Sequence, residues 1–557
     1  MDFTILVGGA AGQGMDTFAG ILEKSLKRVG FYIFTHSDYM SRVRGGHNFM
    51  QIRFSDQPIS SYTQKVDIIF ALNDETVEIH EDKLKENGII ILDEELSKEK
   101  DLIHLPFKKM AENLGNVRVS STVGLGVILK YYGLPKDETV KIIKEEFNEK
   151  ISAVNLRALD EGYNLIETEH KLETKEDKSI LINGNNAVAL GAIAAGCRYY
   201  CGYPMTPSTG VLNYMSLKSE EMGIVIDQVE DEVAALNMAL GASYAGVRAM
   251  TGSSGGGIAL MAEAFSLAGI IETPIVVINV QRPGPATGLP TRTEQADLRF
   301  MIHLGHGEFP KMVISLRNGE DAFYQTARAF NLAEKYQITV VLLSDQHLSE
   351  AMVTYDPFDF DKVSIERYLS DGKDLVEGER YKRYKYTQDG VSPRIIPGKI
   401  ENQVVLIDSD EHDEYGNITE SAQVRINMVD KRAKKFENLK KEVQEPWLIG
   451  KEEPEHLIVA WGSLYGAVKE AVETLIEEGV SIGALVFGDI WPLPTEKLGK
   501  MYKKAHNLIA IEQNSTGQLD SLIREEMLIK SNHKILKYDG RPFSGEEIYQ
   551  RLKEEVL

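Results

Sequence analysis

Apolar residues recur along this chain in short unbroken runs, set between stretches whose apolar positions fall every three or four residues. Residues 3–7, 66–71 and 88–92 are runs of the first kind, with a further strand at 51–54; the lack of alternation, clearest at 66–71 and 88–92, predicts strands buried on both faces. Phe18, Ile21, Leu22, Leu26 and Val29 keep helical spacing after the first run, and further helices are predicted at 123–132 and 136–165. The alternation resumes with a strand at 180–182 and an Ala-rich helix from Gly184 to Gly191, then strands at 248–251, 274–280 and 338–343 with a helix at 258–268. A third block opens at 457–462, runs through a helix to Glu478, strands at 483–487 and 507–511, and ends in a long helix.

This is an α/β chain of three units, at 1–170, 179–348 and 455–557. Residues 167–178, rich in Glu, Lys and Thr, form a linker. Residues 349–454 turn charged and irregular, with a basic helix at 425–441, and read as a connecting arm that wraps a neighbour. A length of 557 residues agrees with three or four domains at about 150 residues each.

The net charge of −22 argues against nucleic-acid or anionic-membrane binding, since both need concentrated positive charge. No apolar run reaches the roughly 18 residues that span a bilayer, and the chain opens directly into a strand, so a cytoplasmic location is expected. Cys197 and Cys201 cannot supply the four thiolates of an iron-sulfur cluster or a Cys-rich zinc site, and read as buried thiols. His303, His306 and Glu308 have a metal-like composition but read as loop packing, so no metal site is assigned.

Chemistry concentrates at 196–251. In the loop YPMTPST at 203–209, Pro204 and Pro207 keep the backbone out of a helix until Pro207 or later. The hydroxyls of Thr206, Ser208 and Thr209 therefore sit at a strand-to-helix junction, where they either cap the helix or meet an anion. Glu232 enters an Ala-rich segment as either a cap or a chemical group. After the strand at 248–251, the cluster GSSGGG at 252–257 offers Ser253 and Ser254, at a turn that faces a ligand or merely needs small residues. The Pro- and Gly-rich loop at 281–297 follows a buried strand and carries Arg282 and Arg292, guanidinium groups suited to a carboxylate. Near the N-terminus, GGAAGQG at 8–14 joins a strand to a helix, where Gly9, Gly12, Gln13 and Gly14 can cradle a phosphate; Arg42 and Arg44, in SRVRGGH at 41–47, suit the same ligand.

Glu232, with Ala235 three residues on and Gly241 nine on, resembles the activating-glutamate helix of thiamin-diphosphate enzymes. Taken with the YPMTPST loop, the chain resembles the α subunit of a 2-oxoacid:ferredoxin oxidoreductase in the form with a γ domain fused to its N-terminus, the 2-oxoglutarate type matching best. The resemblance covers nearly the whole chain. It implies a γ-type domain at 1–170 with a possible coenzyme A contact, a thiamin-diphosphate pyrimidine-type domain at 179–348, and a transketolase C-terminal-like domain at 455–557. It further implies CoA-dependent oxidative decarboxylation of a 2-oxo acid, with electrons passing to ferredoxin.

Under that resemblance Glu232 meets the cofactor's aminopyrimidine, helped by Tyr203, Pro204, Ser253 and Ser254. Thr206 and Arg282 hold the substrate carboxylate, with Ser208, Thr209 and Arg292 as further candidates. Met205 stands where the family often has Ile. The sequence lacks a Gly-Asp-Gly motif followed by Asn, the pattern of the Mg-diphosphate half, and it lacks cysteines for a cluster. The resemblance assigns Mg2+ and the 4Fe-4S cluster to a separate β subunit in an (αβ)2 assembly. A coenzyme A ligase or transferase subunit, or a non-catalytic assembly subunit, would be the competing reading of the same glycine loops and arginines.

Overall fold

The computed structural model describes residues 1–557 apart from 41–45, 97–101, 177, 374 and 376–377. The chain divides into two compact units. The first comprises Met1–Ile182, Ala351–Pro357 and Ser544–Glu547; the second comprises Asn183–Glu350, Phe358–Phe543 and Ile548–Leu557.

The first unit is built on an eight-stranded mixed sheet in the order Ile103–Leu105, Leu84–Asp93, Val66–Ala71, Asp2–Ala10, His47–Ser55, Tyr32–Asp38, Met352–Tyr355, Ile180–Ile182. The first four run parallel, and antiparallel pairing begins where Asp2–Ala10 meets His47–Ser55. His47–Ser55 is buried along its whole length, which explains its weak alternation. Ile180–Ile182, read from the sequence as opening the middle unit, instead pairs with Met352–Tyr355 at the edge of this first sheet.

The single helix expected over 136–165 is two, Asp137–Glu146 and Glu149–Tyr163. The break falls at Asn148, whose side chain accepts from the Ile151 N–H and caps the second helix. That helix crosses Ser120–Tyr131 so closely that a Cβ on Gly162 would lie 1.9 Å from the Val123 carbonyl oxygen. Only glycine fits there.

The second unit holds two sheets. The seven-stranded one has the order Asp489–Trp491, Lys311–Ser315, Thr339–Asp345, Ile275–Gln281, Ala249–Ser253, Tyr199–Gly202, Val225–Gln228, and every pair is parallel except the first. The five-stranded sheet runs Trp447–Gly450, Ile482–Phe487, His456–Trp461, Asn507–Glu512, His533–Leu536. One apolar core joins them, with Val277 and Val341 from the first sheet and Trp461 and Phe487 from the second. Cys197 and Cys201 are buried and unbridged, and burial pushes the Cys197 thiol up to about 12.

The arm closes on the middle part of its own unit through two buried carboxylates. Glu334 accepts from Arg248 Nε at 2.9 Å, Arg367 Nε at 3.0 Å and Arg394 Nη2 at 2.9 Å. Glu272 accepts from Lys431 Nζ at 2.7 Å and pairs with Lys435. Burial alone would raise the Glu272 carboxyl, but Lys431, Lys435 and Arg383 hold it well below the usual range. Burial pulls Lys435 down to about 7 against the pull of Glu272. Removing one member of such a group leaves buried charge uncompensated, at a cost of about 3–5 kcal/mol. Glu334→Ala is therefore expected to lower the unfolding free energy of this unit, measured by urea titration, by an amount of that order, whereas Lys500→Ala, at the solvated Lys500–Glu496 pair, leaves it unmoved.

Candidate active site

Tyr199–Gly202, Ala249–Ser253 and Ile275–Gln281 are adjacent parallel strands, so their carboxyl ends open on one edge of the sheet. From that edge come the loop beginning at Tyr203, the turn at Ser254 and the loop beginning at Arg282. Glu232 arrives from the next strand, Val225–Gln228, as the first residue of the helix Glu232–Tyr244. Asp231 performs the capping, its side chain accepting from the Ala234 N–H at 2.7 Å. Glu232 is left without a capping task, and it is only 3 % exposed.

Its neighbours come from the other two strands. Ser253 Oγ donates to Glu232 Oε1 at 3.4 Å and lies 3.6 Å from Met205 Sδ. A Cβ on Gly257 would stand 2.4 Å from Glu232 Oε1 and 2.1 Å from Ser253 Oγ, so the carboxylate rests against bare backbone. The Ser254 hydroxyl is fully buried with no hydrogen-bond partner among the described residues. A buried carboxylate against a glycine cradle, with an unsatisfied buried hydroxyl in the adjoining turn, fits a polar heteroaromatic ring. The helix expected over 258–268 is two, Gly255–Leu260 and Ala262–Ile270, and its earlier start brings Gly257 under Glu232.

The three hydroxyls of the 203–209 loop separate. Ser208 is buried and donates to the Met205 carbonyl at 3.0 Å; it neither caps the following helix nor faces the open edge. Thr209 is the first residue of that helix, Thr209–Leu217. Thr206 is exposed, Pro204 partly so, and Tyr203 is 39 % exposed. The Thr206 carbonyl accepts from Arg282 Nη1, which ties together the loops that follow Tyr199–Gly202 and Ile275–Gln281, the two strands on either side of Ala249–Ser253. Arg292 lies elsewhere, its Cβ 3.3 Å from where a Cβ on Gly540 would be.

The Arg282 loop is pinned at its far end. Thr293 Oγ1 donates to Asp345 Oδ1 at 3.3 Å, and Gln295 Nε2 donates to the Trp461 carbonyl at 2.9 Å. Two acids there escaped the sequence reading. Asp297 accepts from Asn279 Nδ2 at 3.0 Å, and burial raises it against the pull of Asn279 and Arg282. Burial, with Asp297 beside it, pushes Glu294 up to about 7. Arg282 is lowered by burial and supported by Asp297. The missed signal was the acidic pair itself, in the run TEQAD at 293–297.

In the first unit, Gly12 and Gly14 take φ of +91° and +85°, and Gly14 precedes the helix Met15–Arg28. Gln13 braces the turn: its Oε1 accepts from the Ala10 N–H at 2.7 Å and its Nε2 donates to the Leu72 carbonyl at 3.2 Å. A cavity of about 580 Å³ opens beside it, lined by Gly12, Gln13, Gly14, Arg118, Ser121 and Asn155 among others. Gly9 is not in that lining; a Cβ there would meet Gln13 Oε1 and Leu72 instead. Arg118, Ser121 and Asn155 escaped the sequence reading because they lie on three other elements, Val117–Val119, Ser120–Tyr131 and Glu149–Tyr163, far from the glycine run in sequence. Arg42 and Arg44 lie outside the described residues. His47, next in that sequence, is buried with its Nε2 2.7 Å from His80 Nε2, and burial draws both imidazoles down, His80 to about 3. Among the described residues no group of His, Cys, Asp and Glu side chains could hold a metal ion, and no helix is long and apolar enough to cross a membrane.

Comparison with known proteins agrees with this layout. Residues 4–165 match the family model of pyruvate ferredoxin/flavodoxin oxidoreductase, and residues 190–431 match the thiamine-diphosphate-binding domain of pyruvate flavodoxin/ferredoxin oxidoreductase. Residues 454–548 match the pyruvate:ferredoxin oxidoreductase core domain II. The 2-oxoacid:ferredoxin oxidoreductase subunit alpha of Sulfolobus sp is 32% identical over 99% of this chain and 96% of its own. The 2-oxoglutarate synthase subunit KorA of Archaeoglobus fulgidus is 33% identical over 61% of this chain and 89% of its own. The solved 2-oxoglutarate:ferredoxin oxidoreductase of Magnetococcus marinus, with 2-oxoglutarate, coenzyme A and succinyl-CoA bound, is 31% identical over the whole of both chains, with a TM-score of 0.92.

Fold and site together define a subunit of a thiamin-type 2-oxo acid oxidoreductase. The chain belongs to the α subunits of the 2-oxoacid:ferredoxin oxidoreductases, with a γ-like domain at its N-terminus. Gly257→Ala is expected to displace the Glu232 carboxylate and lower turnover of the assembled enzyme about 100-fold, a cost typical of a misplacement near 1 Å. Its thermal midpoint should stay within a few degrees of wild type, which differential scanning fluorimetry checks.

Proposed function

We propose that this subunit, joined to a β subunit, catalyses CoA-dependent oxidative decarboxylation of a 2-oxo acid, with 2-oxoglutarate the favoured substrate. The products are acyl-CoA, carbon dioxide and reduced ferredoxin. The observation that carries this reading is the Glu232 carboxylate, buried at the strand edge that also holds Thr206 and Arg282. The preference for 2-oxoglutarate is supported by the names of the Archaeoglobus and Magnetococcus relatives.

Thiamin diphosphate, when bound, supplies the electron sink for loss of carbon dioxide. Glu232 holds and shares a proton at the aminopyrimidine ring, with Ser253 orienting its Oε1 and Ser254 offering a hydroxyl. Arg282 and the Thr206 side chain hold the substrate carboxylate at the mouth of the site, Arg282 being fixed by its bond to the Thr206 backbone. Tyr203 and Pro204, on the loop after the strand, would contact the cofactor when it is bound. The β subunit carries Mg2+, the diphosphate contacts and the 4Fe-4S cluster, in an (αβ)2 assembly that passes electrons to ferredoxin. In the first unit the cavity beside Gly12, Gly14 and Arg118 takes coenzyme A, with the guanidinium on a phosphate.

In the complex reconstituted with its native β subunit, Glu232→Gln is expected to cut kcat at least 100-fold while leaving assembly intact by gel filtration. Full activity would favour a purely structural subunit. Thr206→Ala and Arg282→Ala should raise KM for the 2-oxo acid at least tenfold, and Arg118→Ala should raise KM for coenzyme A alone. A panel of 2-oxoglutarate, pyruvate and a branched 2-oxo acid checks the substrate, the highest kcat/KM being expected for 2-oxoglutarate.

A further inference from the structure

Asp297 occupies the residue before the helix Leu298–His303, where an aspartate ordinarily caps. Its carboxylate makes no capping bond. It is turned back toward the strand ends, where Oδ2 accepts from Asn279 Nδ2 at 3.0 Å and would be 2.7 Å from a Cβ on Gly255. Its backbone N–H donates to Gln281 Oε1 at 2.9 Å. Asn279 and Gln281 are fully buried and belong to the strand Ile275–Gln281, which Arg282 follows directly. Positions 279 and 281, two residues apart on one strand, thus hold the loop acid beside the strand end that leads into Arg282.

The neighbouring strand completes the arrangement. Asn279 is the register partner of Ser253, so the acid sits one strand away from the residue that touches Glu232. The turn at Gly255 and Gly257 lies between the two carboxylates, with glycine at both points of contact. Arg282 and Asp297 each favour the other's charge, yet they form no ion pair within contact distance among the described residues. An acid in direct contact would occupy the guanidinium fork. One that makes no such contact attracts the charge and leaves the guanidinium donors other than Nη1 open to an incoming anion.

We infer that Asp297 is the positioning residue for Arg282, held by Asn279 and Gln281 so that the guanidinium stays over the open strand edge, ready for a substrate carboxylate. This rests on the substrate role proposed for Arg282. Simple electrostatics gives the opposite expectation for a mutant: an anion beside the site repels an anionic substrate, and its removal tightens binding. Positioning and repulsion therefore differ in sign.

The test is steady-state kinetics of the reconstituted complex with the 2-oxo acid as varied substrate. Asp297→Asn is expected to raise its KM about tenfold, with kcat within about threefold of wild type and KM for coenzyme A unmoved; Asp297→Glu should recover most of the loss. Asn279→Leu frees the carboxylate while keeping its charge, and is expected to raise the same KM by about threefold; it reads the same quantity should Asp297→Asn fail to assemble. An unchanged or lowered KM in Asp297→Asn, or loss of kcat and KM in equal measure without rescue by glutamate, overturns the inference. If Arg282→Ala itself leaves the 2-oxo acid KM unmoved, the substrate role of Arg282 falls instead.

Discussion

Burial of the Glu232 carboxylate is the constraint on which the middle of this molecule depends. Glu232 is 3 % exposed, and its Oε1 takes a long hydrogen bond from the Ser253 hydroxyl, at 3.4 Å. Asp231 already performs the capping, so Glu232 is not needed to start its helix. A carboxylate so enclosed, against a glycine that leaves room for nothing larger, is the group on which the proposed chemistry falls.

The surrounding architecture is built to keep that edge in place. Parallel pairing sets the ends of three strands side by side, and the loops from two of them are tied by the bond from Arg282 to Thr206. The far end of the Arg282 loop is anchored through Thr293 and Gln295 to Asp345 and to the strand of Trp461, so elements of the five-stranded sheet hold the site without entering it. Behind the sheet, the arm is fastened by charge clusters on Glu272 and Glu334. A segment of low hydrophobicity is thereby folded onto an apolar unit by a few buried ion pairs, which fix position more than they add stability.

Much of this was legible in the sequence. Unbroken apolar runs at 66–71 and 274–280 gave the buried strands, and the glycine and proline punctuation between them marked the loops that carry the site. The family was legible because Glu232 and the 203–209 loop are local patterns. What escaped depended on contacts between distant residues. The parting of Ser208 from Thr206 depends on which hydroxyl turns inward to the Met205 carbonyl, and spacing does not encode that. The pairing of Ile180–Ile182 with Met352–Tyr355 joins segments some 170 residues apart, so neither reads as an edge strand of the first sheet by itself. Asp297 went unnoticed because it closes a Pro- and Gly-rich loop that was read for its arginines, and only the structure turns it toward Asn279. Gly257 hid among glycines that all look alike until Glu232 is placed against one of them.

The most direct measurement is a structure of the complete complex with thiamin diphosphate bound. The expected result is the Glu232 carboxyl within hydrogen-bond distance of the aminopyrimidine ring, at a seam where the partner subunit grips the diphosphate. A carboxyl at position 232 remote from the ring, or opening to bulk water in the assembled enzyme, would contradict it.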